Sequence, residues 1–199
     1  MKTERKHVTS GGLGMTDAFA MTDTLGRESG LSKKELIQLR LLAEELFGAL
    51  RSVAGDVEAD YWLEIQGKSF EIHMESEVEV DEKVQQQMLS MSSSGENAAA
   101  NGFFGRLRVM IAETLLTKAA KADMKIGFQQ GIMVMASPTA MNPGAYTWSM
   151  SEFKEEVAQH KAEEWDGLER SIVANIADDV KVHIVGDNVH IVLYKKFAE

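Results

Sequence analysis

An amphipathic helix near the N-terminus constrains the fold of this chain more than any other segment. Ser32 is followed by Glu35, and Ser-x-x-Glu is the spacing of a capping box, in which each residue satisfies a backbone amide of the other at the start of a helix. The apolar side chains that follow share one helical face, at i, i+3, i+7, i+10, i+11 and i+14: Leu36, Leu39, Ala43, Leu46, Phe47 and Leu50. The pattern predicts a core helix over residues 33–53 that ends at Gly55.

Alternating apolar residues around short turns predict two hairpins. Residues 60–65 and 70–78 flank a Gln-Gly-Lys turn. In the second of these strands one side is apolar, with Phe70, Ile72 and Met74. Residues 180–185 and 189–197 flank a Gly-Asp-Asn turn and predict a hairpin that closes the chain.

Weaker patterns fill the rest of the chain. Further strands are predicted at 7–9 and 127–136, and further helices at 16–28, 81–91, 105–121 and 151–179. Loops are predicted at 92–105, which is rich in Ser, Gly and Asn, and at 138–146, which holds both prolines.

Composition excludes several classes of protein. The 199 residues include 21 basic and 31 acidic side chains, a net charge of −10, which gives nucleic-acid phosphates little to bind. No cysteine is present, so disulfides, thiolate metal sites and a cysteine nucleophile are excluded. No apolar stretch is long enough for a membrane span or a signal peptide. We therefore expect a cytoplasmic protein that binds neither nucleic acid nor membrane.

The residues that usually carry chemistry are scattered. The five histidines lie at positions 7, 73, 160, 183 and 190, with no pair at the i, i+4 spacing of a helical metal motif. His183 and His190 can face each other across the closing hairpin, but the pattern favours ordinary strand residues over a metal pair. Hydrolase elbows, Walker loops and dinucleotide-binding glycine motifs are absent from the sequence. The 12 methionines and three tryptophans favour core packing over a binding surface.

Two features suit the binding of a phosphate group. Glu44 and Glu45 place carboxylates beside the apolar face of the predicted core helix. The segment 92–105 is a Gly-rich loop that leads into a helix start, where backbone amides attract phosphate and where Arg106 and Arg108 add positive charge. Each pattern is also typical of a solvated helix face or an ordinary loop.

The order of these parts resembles that of the histidine-kinase-like ATPases, especially the anti-sigma-factor kinases. The run 30–53, which contains Leu-Arg-Leu-Leu-Ala-Glu-Glu, resembles the N-box helix of that family. In the family, a short helix precedes the N-box helix, and a strand pair, a flexible lid, a Gly-led helix and a closing hairpin follow it. The resemblance implies a single α/β (α+β) two-layer sandwich over 1–199, with a mixed sheet covered on one face by helices and an enlarged insertion at 80–166.

The resemblance also implies a site for ATP with Mg²⁺. Glu44 or Glu45 would be the water-activating or metal-side carboxylate. The Gly-led helix after the lid can be placed in two ways. In one, Gly102, Gly105 and Arg106 contact phosphate; in the other, the helix begins at Gly167 and leads directly into the closing hairpin.

The sequence departs from the family at two motifs. The family's metal-binding Asn follows the Glu by one helical turn, and this chain has Gly48 there if Glu44 is matched, or Ala49 if Glu45 is. The family's Asp-x-Gly-x-Gly motif is replaced after the predicted second strand by Glu-Ser-Glu-Val-Glu at 75–79. Phosphoryl transfer depends on positioned metal and base groups, so an active kinase is not expected.

The expected function is therefore that of a divergent, regulatory ATP-binding protein. The alternative is a non-catalytic, anti-sigma-like adaptor that has lost the nucleotide and binds a regulatory protein, as a monomer or a homodimer. A basic partner would be attracted to the acidic side chains of the predicted helix that starts at residue 151: Glu155, Glu156, Glu163 and Glu164. A small-molecule binder with a Met-lined cavity is a third interpretation that the sequence leaves open.

Overall fold

The computed structural model describes residues 1–52, 57–77, 145–152, 154–155 and 172–198. Its helices and strands, in chain order, are β1 (Lys6–Thr9), α1 (Met15–Glu28), α2 (Lys33–Ser52), β2 (Glu58–Gln66), β3 (Ser69–Glu77), β4 (Ala145–Ser149), α3 (Ile172–Ile176), β5 (Asp179–Val185) and β6 (Asn188–Lys196). Among the described helices, none combines the length and the apolar character that a membrane span requires.

The strands form one six-stranded sheet in the order β1-β2-β3-β6-β5-β4. Both predicted hairpins, β2–β3 and β5–β6, are present, and β3 pairs with β6 to join them. Every pairing among the described strands is antiparallel, whereas a mixed sheet was expected. Two-residue turns connect only antiparallel neighbours, which is why both hairpins adopt this pairing.

The two faces of the sheet differ in what covers them. Alternate residues of the strands form a continuous buried core with α1, α2 and α3, so the described helices pack on one face, as expected. The structure is thus of the α+β class. The opposite face, called the outer face below, carries the other set of alternate residues, most of them polar, and includes Glu64 and His73.

The capping box at the start of α2 is confirmed. The Ser32 amide donates to Glu35 Oε2 at 2.6 Å, and the Glu35 amide donates to Ser32 Oγ at 3.4 Å. The hydrogen bonds with Ser32, above all the one to its side chain, lower the pKa of the Glu35 carboxyl group. The helix then buries its apolar face against the sheet through Leu39, Leu42, Ala43, Leu46 and Phe47.

Helix α1 closes one end of the core. Thr22 is fully buried, and its hydroxyl donates to the Ala18 carbonyl oxygen at 2.8 Å. The same hydroxyl lies 2.7 Å from the Tyr61 hydroxyl on β2, so the two buried groups satisfy each other. This bond connects α1 to the sheet across the core.

Two sequence predictions need correction, and three others fall outside the described residues. Residues 145–149 form β4 at the edge of the sheet, although 138–146 was predicted as a loop. The predicted helix 151–179 runs too far, because α3 ends at Ile176 and Asp179 begins β5. Asp179 accepts a bond from the Ser151 amide at 2.9 Å and joins the two segments. The predicted elements at 81–91, 105–121 and 127–136 lie outside the described residues.

Candidate functional site

Glu44, one of the two carboxylates predicted on α2, is already paired with a cation. Arg40 Nε donates to Glu44 Oε1 at 2.8 Å, and Arg40 Nη1 donates to Asp23 on α1 at 2.9 Å. The guanidinium carbon lies 3.9 Å from the centre of the Phe19 ring. Arg40 is thereby held between two helices, and Glu44 faces a positive charge where the resemblance implies a metal-side carboxylate.

Glu45 has different surroundings, although it is the next residue. Its side chain is partly buried, and burial, followed by the neighbouring charge of Glu44, raises the pKa of its carboxyl group. A carboxyl group with a raised pKa is better suited to proton transfer near neutral pH. Of the two predicted carboxylates, Glu45 is the one whose surroundings raise the pKa of its carboxyl group.

The family's metal-binding asparagine corresponds to Gly48 when Glu44 is matched, and the space beside Gly48 is empty. Gly48 is exposed on α2, and a Cβ atom added to it would have no neighbour within 4 Å. Glycine supplies no side-chain oxygen, and Glu44 is paired with Arg40, so these residues do not fit a protein-bound Mg²⁺ ion. The other predicted phosphate-binding residues lie outside the described residues: Gly102, Gly105, Arg106 and Gly167.

An open groove of about 370 Å³ runs between α1 and α2. Its lining combines charged and apolar side chains: Asp23, Arg27, Leu36, Ile37, Arg40, Leu41 and Glu44. Ile37 is 60% exposed although it is a large apolar residue. The volume is within the range of small-molecule sites, and the lining can contact both an apolar ring and an anion.

A second cluster lies on the outer face of the sheet, where Trp62 packs between charged side chains and histidines. The Trp62 and His73 rings stack at 4.7 Å with an interplanar angle of 3°, and Trp62 is 2% and His73 6% exposed. The Arg5 guanidinium carbon lies 4.1 Å from the centre of a Trp62 ring. His73 Nδ1 lies 3.1 Å from His190 Nε2, a hydrogen bond that fixes the His73 ring.

The other ring nitrogen of His73 faces two carboxylates. Glu64 and Glu71 are directly opposite in the β2–β3 register, and His73 follows Glu71 on the same face. His73 Nε2 lies 3.5 Å from Glu71 Oε2 and 3.8 Å from Glu64 Oε1. Within the part of the chain that the structure describes, this buried atom has no hydrogen-bond partner.

The surroundings of His73 keep its ring uncharged. Burial, and to a smaller extent the charge of His190, lowers the pKa of His73 to about 4, so the imidazole is neutral at pH 7.

The predicted facing of His183 and His190 across the closing hairpin is confirmed. The two residues are opposite in the β5–β6 register, with ring centres 6.0 Å apart. His183 Nδ1 lies 3.2 Å from Thr147 Oγ1 on β4. His190 also contacts His73 on β3, a pairing that the sequence did not predict. The sequence does contain a signal for the cluster of Glu64, Glu71 and His73. A two-residue turn after Gln66 sets the β2–β3 register, which places Glu64 opposite Glu71.

Comparison of the chain with protein-family models, with curated proteins and with solved structures found no match. The functional proposals therefore depend on the geometry of the groove between α1 and α2 and of the cluster around Trp62 and His73 on the outer face.

Proposed function

We propose that this protein is a divergent, regulatory nucleotide-binding protein of the histidine-kinase-like ATPase type, which binds ATP beside α2 without acting as a kinase. The single observation that carries the proposal is the groove between α1 and α2. It brings the Arg27 guanidinium next to an apolar wall, while Asp23 and Glu44 hold the neighbouring Arg40 guanidinium in place. Guanidinium groups bind phosphate oxygens through several donors, and an apolar wall suits a purine ring.

The order of the described elements supports the proposed relationship. A helix precedes the capped helix α2, a hairpin follows it, and α3 leads into the closing hairpin. These parts occur in the order that the resemblance implies, and the described helices cover one face of the sheet.

The groove accounts for binding better than for catalysis. Gly48 has no side chain that could bind a metal, and the Glu44 carboxylate is paired with Arg40. A magnesium ion would therefore arrive with the nucleotide and be held by its phosphates. Without a metal held by the protein, phosphoryl transfer lacks its usual positioning. We therefore expect binding of ATP and a regulatory role.

Titration calorimetry with MgATP tests the proposal, with Arg27→Gln as the informative variant. Arg27 is exposed and lines the groove, so the substitution should leave the fold intact and weaken ATP binding by about 10-fold, the value of one charge-assisted hydrogen bond. Lys34→Gln is the matched control, because Lys34 is exposed and does not line the groove. Absence of both heat and thermal stabilisation at millimolar MgATP in the unsubstituted protein would overturn the proposal.

The exposure of Ile37 favours a second candidate function, that of a protein-binding adaptor. A large apolar side chain that is 60% exposed in a groove suits an apolar side chain of a regulatory partner. Ile37→Glu should abolish capture of that partner, while Val185→Glu should not, since Val185 is 61% exposed on β5 and does not line the groove. Equal capture by both variants would exclude the groove as the docking surface.

A further inference from the structure

We propose that Glu64, Glu71 and His73 bind a divalent transition-metal ion of the Zn²⁺ class on the outer face of the sheet. The proposal is independent of the nucleotide groove, which lies between helices on the opposite face. It depends on the β2–β3 register, on the distances among three ligand atoms and on one buried nitrogen.

The spacing of the three ligand atoms fits a single small cation. In a tetrahedral zinc site with bonds of about 2.0 to 2.1 Å, neighbouring ligand atoms are about 3.4 Å apart. His73 Nε2 lies 3.5 Å from Glu71 Oε2 and 3.8 Å from Glu64 Oε1, and the three ligand atoms all lie within 4.8 Å of one another. Small side-chain rotations would bring all three onto one ion.

The buried nitrogen of His73 is the independent sign of a ligand. The His73 side chain is 8% exposed, and Nε2 has no hydrogen-bond partner among the described residues. Leaving a buried polar atom unpaired is unfavourable, because the atom has lost its hydrogen bond to water and gained none in the protein. When His73 Nδ1 donates its proton to His190 Nε2 at 3.1 Å, Nε2 is left with a bare lone pair directed at the two carboxylates. A metal ion satisfies that lone pair, and a hydrogen bond to the second ring nitrogen is the usual support of a metal-binding histidine.

The two carboxylates also need a cation. Glu64 and Glu71 are directly opposite on neighbouring strands, an arrangement in which like charges repel. Lys2 compensates in part, because its Nζ lies 2.8 Å from Glu64 Oε1. Lys2 is 55% exposed, and an exposed ion pair of this kind is weak enough for a metal ion to displace it.

The ligand set selects the class of metal. One imidazole and two carboxylates favour Zn²⁺ and its neighbours over Mg²⁺ or Ca²⁺, which prefer oxygen ligands throughout. Glu64 and Glu71 are 39% and 44% exposed, so water can reach the ion as a fourth ligand. Trp62 lies beside the site, since its Nε1 donates to Glu64 Oε1 at 3.3 Å.

Titration of the chelator-treated protein with ZnCl₂ tests the site. We expect one ion per chain at this site, with Glu71→Gln and Glu64→Gln each weakening binding by at least about 10-fold. Lys2→Met removes the competing ammonium group and should strengthen binding several-fold. Glu58→Gln is the control, because Glu58 lies on β2 on the same face, is 73% exposed and is outside the cluster. It should leave the affinity unchanged.

Nitrogen NMR of the unsubstituted protein supplies a readout that needs no variant to fold. Zinc should shift the Nε2 resonance of His73 while leaving that of His183 in place. No binding at 100-fold molar excess of zinc overturns the proposal. So does binding that Glu71→Gln leaves unaltered, or zinc that shifts other histidines and not His73.

Discussion

At the residue scale, neighbouring side chains of the same type have different roles because their surroundings differ. Glu44 is paired with Arg40, whereas Glu45 is partly buried and the pKa of its carboxyl group is raised. On the outer face, His73 is nearly buried and contacts His190, while His183 contacts Thr147 on the edge strand. The sequence alone does not distinguish Glu44 from Glu45, or His73 from His183.

The buried bond between Thr22 and Tyr61 supports a prediction about stability. Thr22→Val should lower the free energy of unfolding by about 1 to 3 kcal/mol, because it leaves the fully buried Tyr61 hydroxyl without its partner. Tyr61→Phe should cost less, since the Thr22 hydroxyl retains its bond to the Ala18 carbonyl oxygen. Urea denaturation of the three proteins measures both values. A larger loss for Tyr61→Phe than for Thr22→Val would contradict the assignment.

At the element scale, α2 is determined locally and β4 is not. The Ser32 capping box and the apolar spacing after it predict the helix, which begins at Lys33 as expected. The β2–β3 and β5–β6 hairpins follow in the same way from turn residues and alternation. Strand β4 was missed, although Tyr146, Thr147 and Trp148 are strand-forming types, because the two prolines beside it indicated a loop.

The capping box predicts a dependence of stability on pH. The pKa of Glu35 is lowered, so its carboxylate contributes stability above about pH 4.5, the unfolded value, and loses that contribution as the pH falls through the folded pKa. Glu35→Gln should therefore lower the urea midpoint at pH 7, and the difference from the unsubstituted protein should shrink as the pH is lowered towards 3. A difference that is constant over this range would show that the charge of Glu35 has no part in the cap.

At the scale of the whole molecule, the β3–β6 pairing joins the two hairpins into one sheet. The pairing extends from Ser69↔Lys196 to Glu77↔Asn188 and contacts residues far apart in the chain. Ile72 and Leu193 are opposite each other in it, and both are fully buried in the core beneath the helices. The N-terminal and C-terminal parts of the described fold therefore share one core.

This shared core predicts that a substitution in either hairpin destabilises both. Ile72→Ala and Leu193→Ala should each lower the free energy of unfolding by about 2 to 5 kcal/mol, the range for buried aliphatic side chains. Because the two residues are in contact, the double variant should lose less than the sum of the single losses. Val185→Ala, at a position 61% exposed, should change stability by less than about 0.5 kcal/mol. Urea unfolding followed by circular dichroism measures all four variants, and strict additivity would contradict the contact.

The sequence by itself determined the elements whose signals are local: the capped helix α2, the helix α1, the strand β1 and the two hairpins. Each depends on residues within a turn or two of one another, so spacing and turn chemistry were sufficient. Only the tertiary structure decided the antiparallel β3–β6 pairing and the position of β4 at the edge of the sheet. It also decided the different surroundings of Glu44 and Glu45 and the contact of His73 with His190. Those two histidines are 117 residues apart in the chain, and only the packing of the whole sheet brings their ring nitrogens within 3.1 Å.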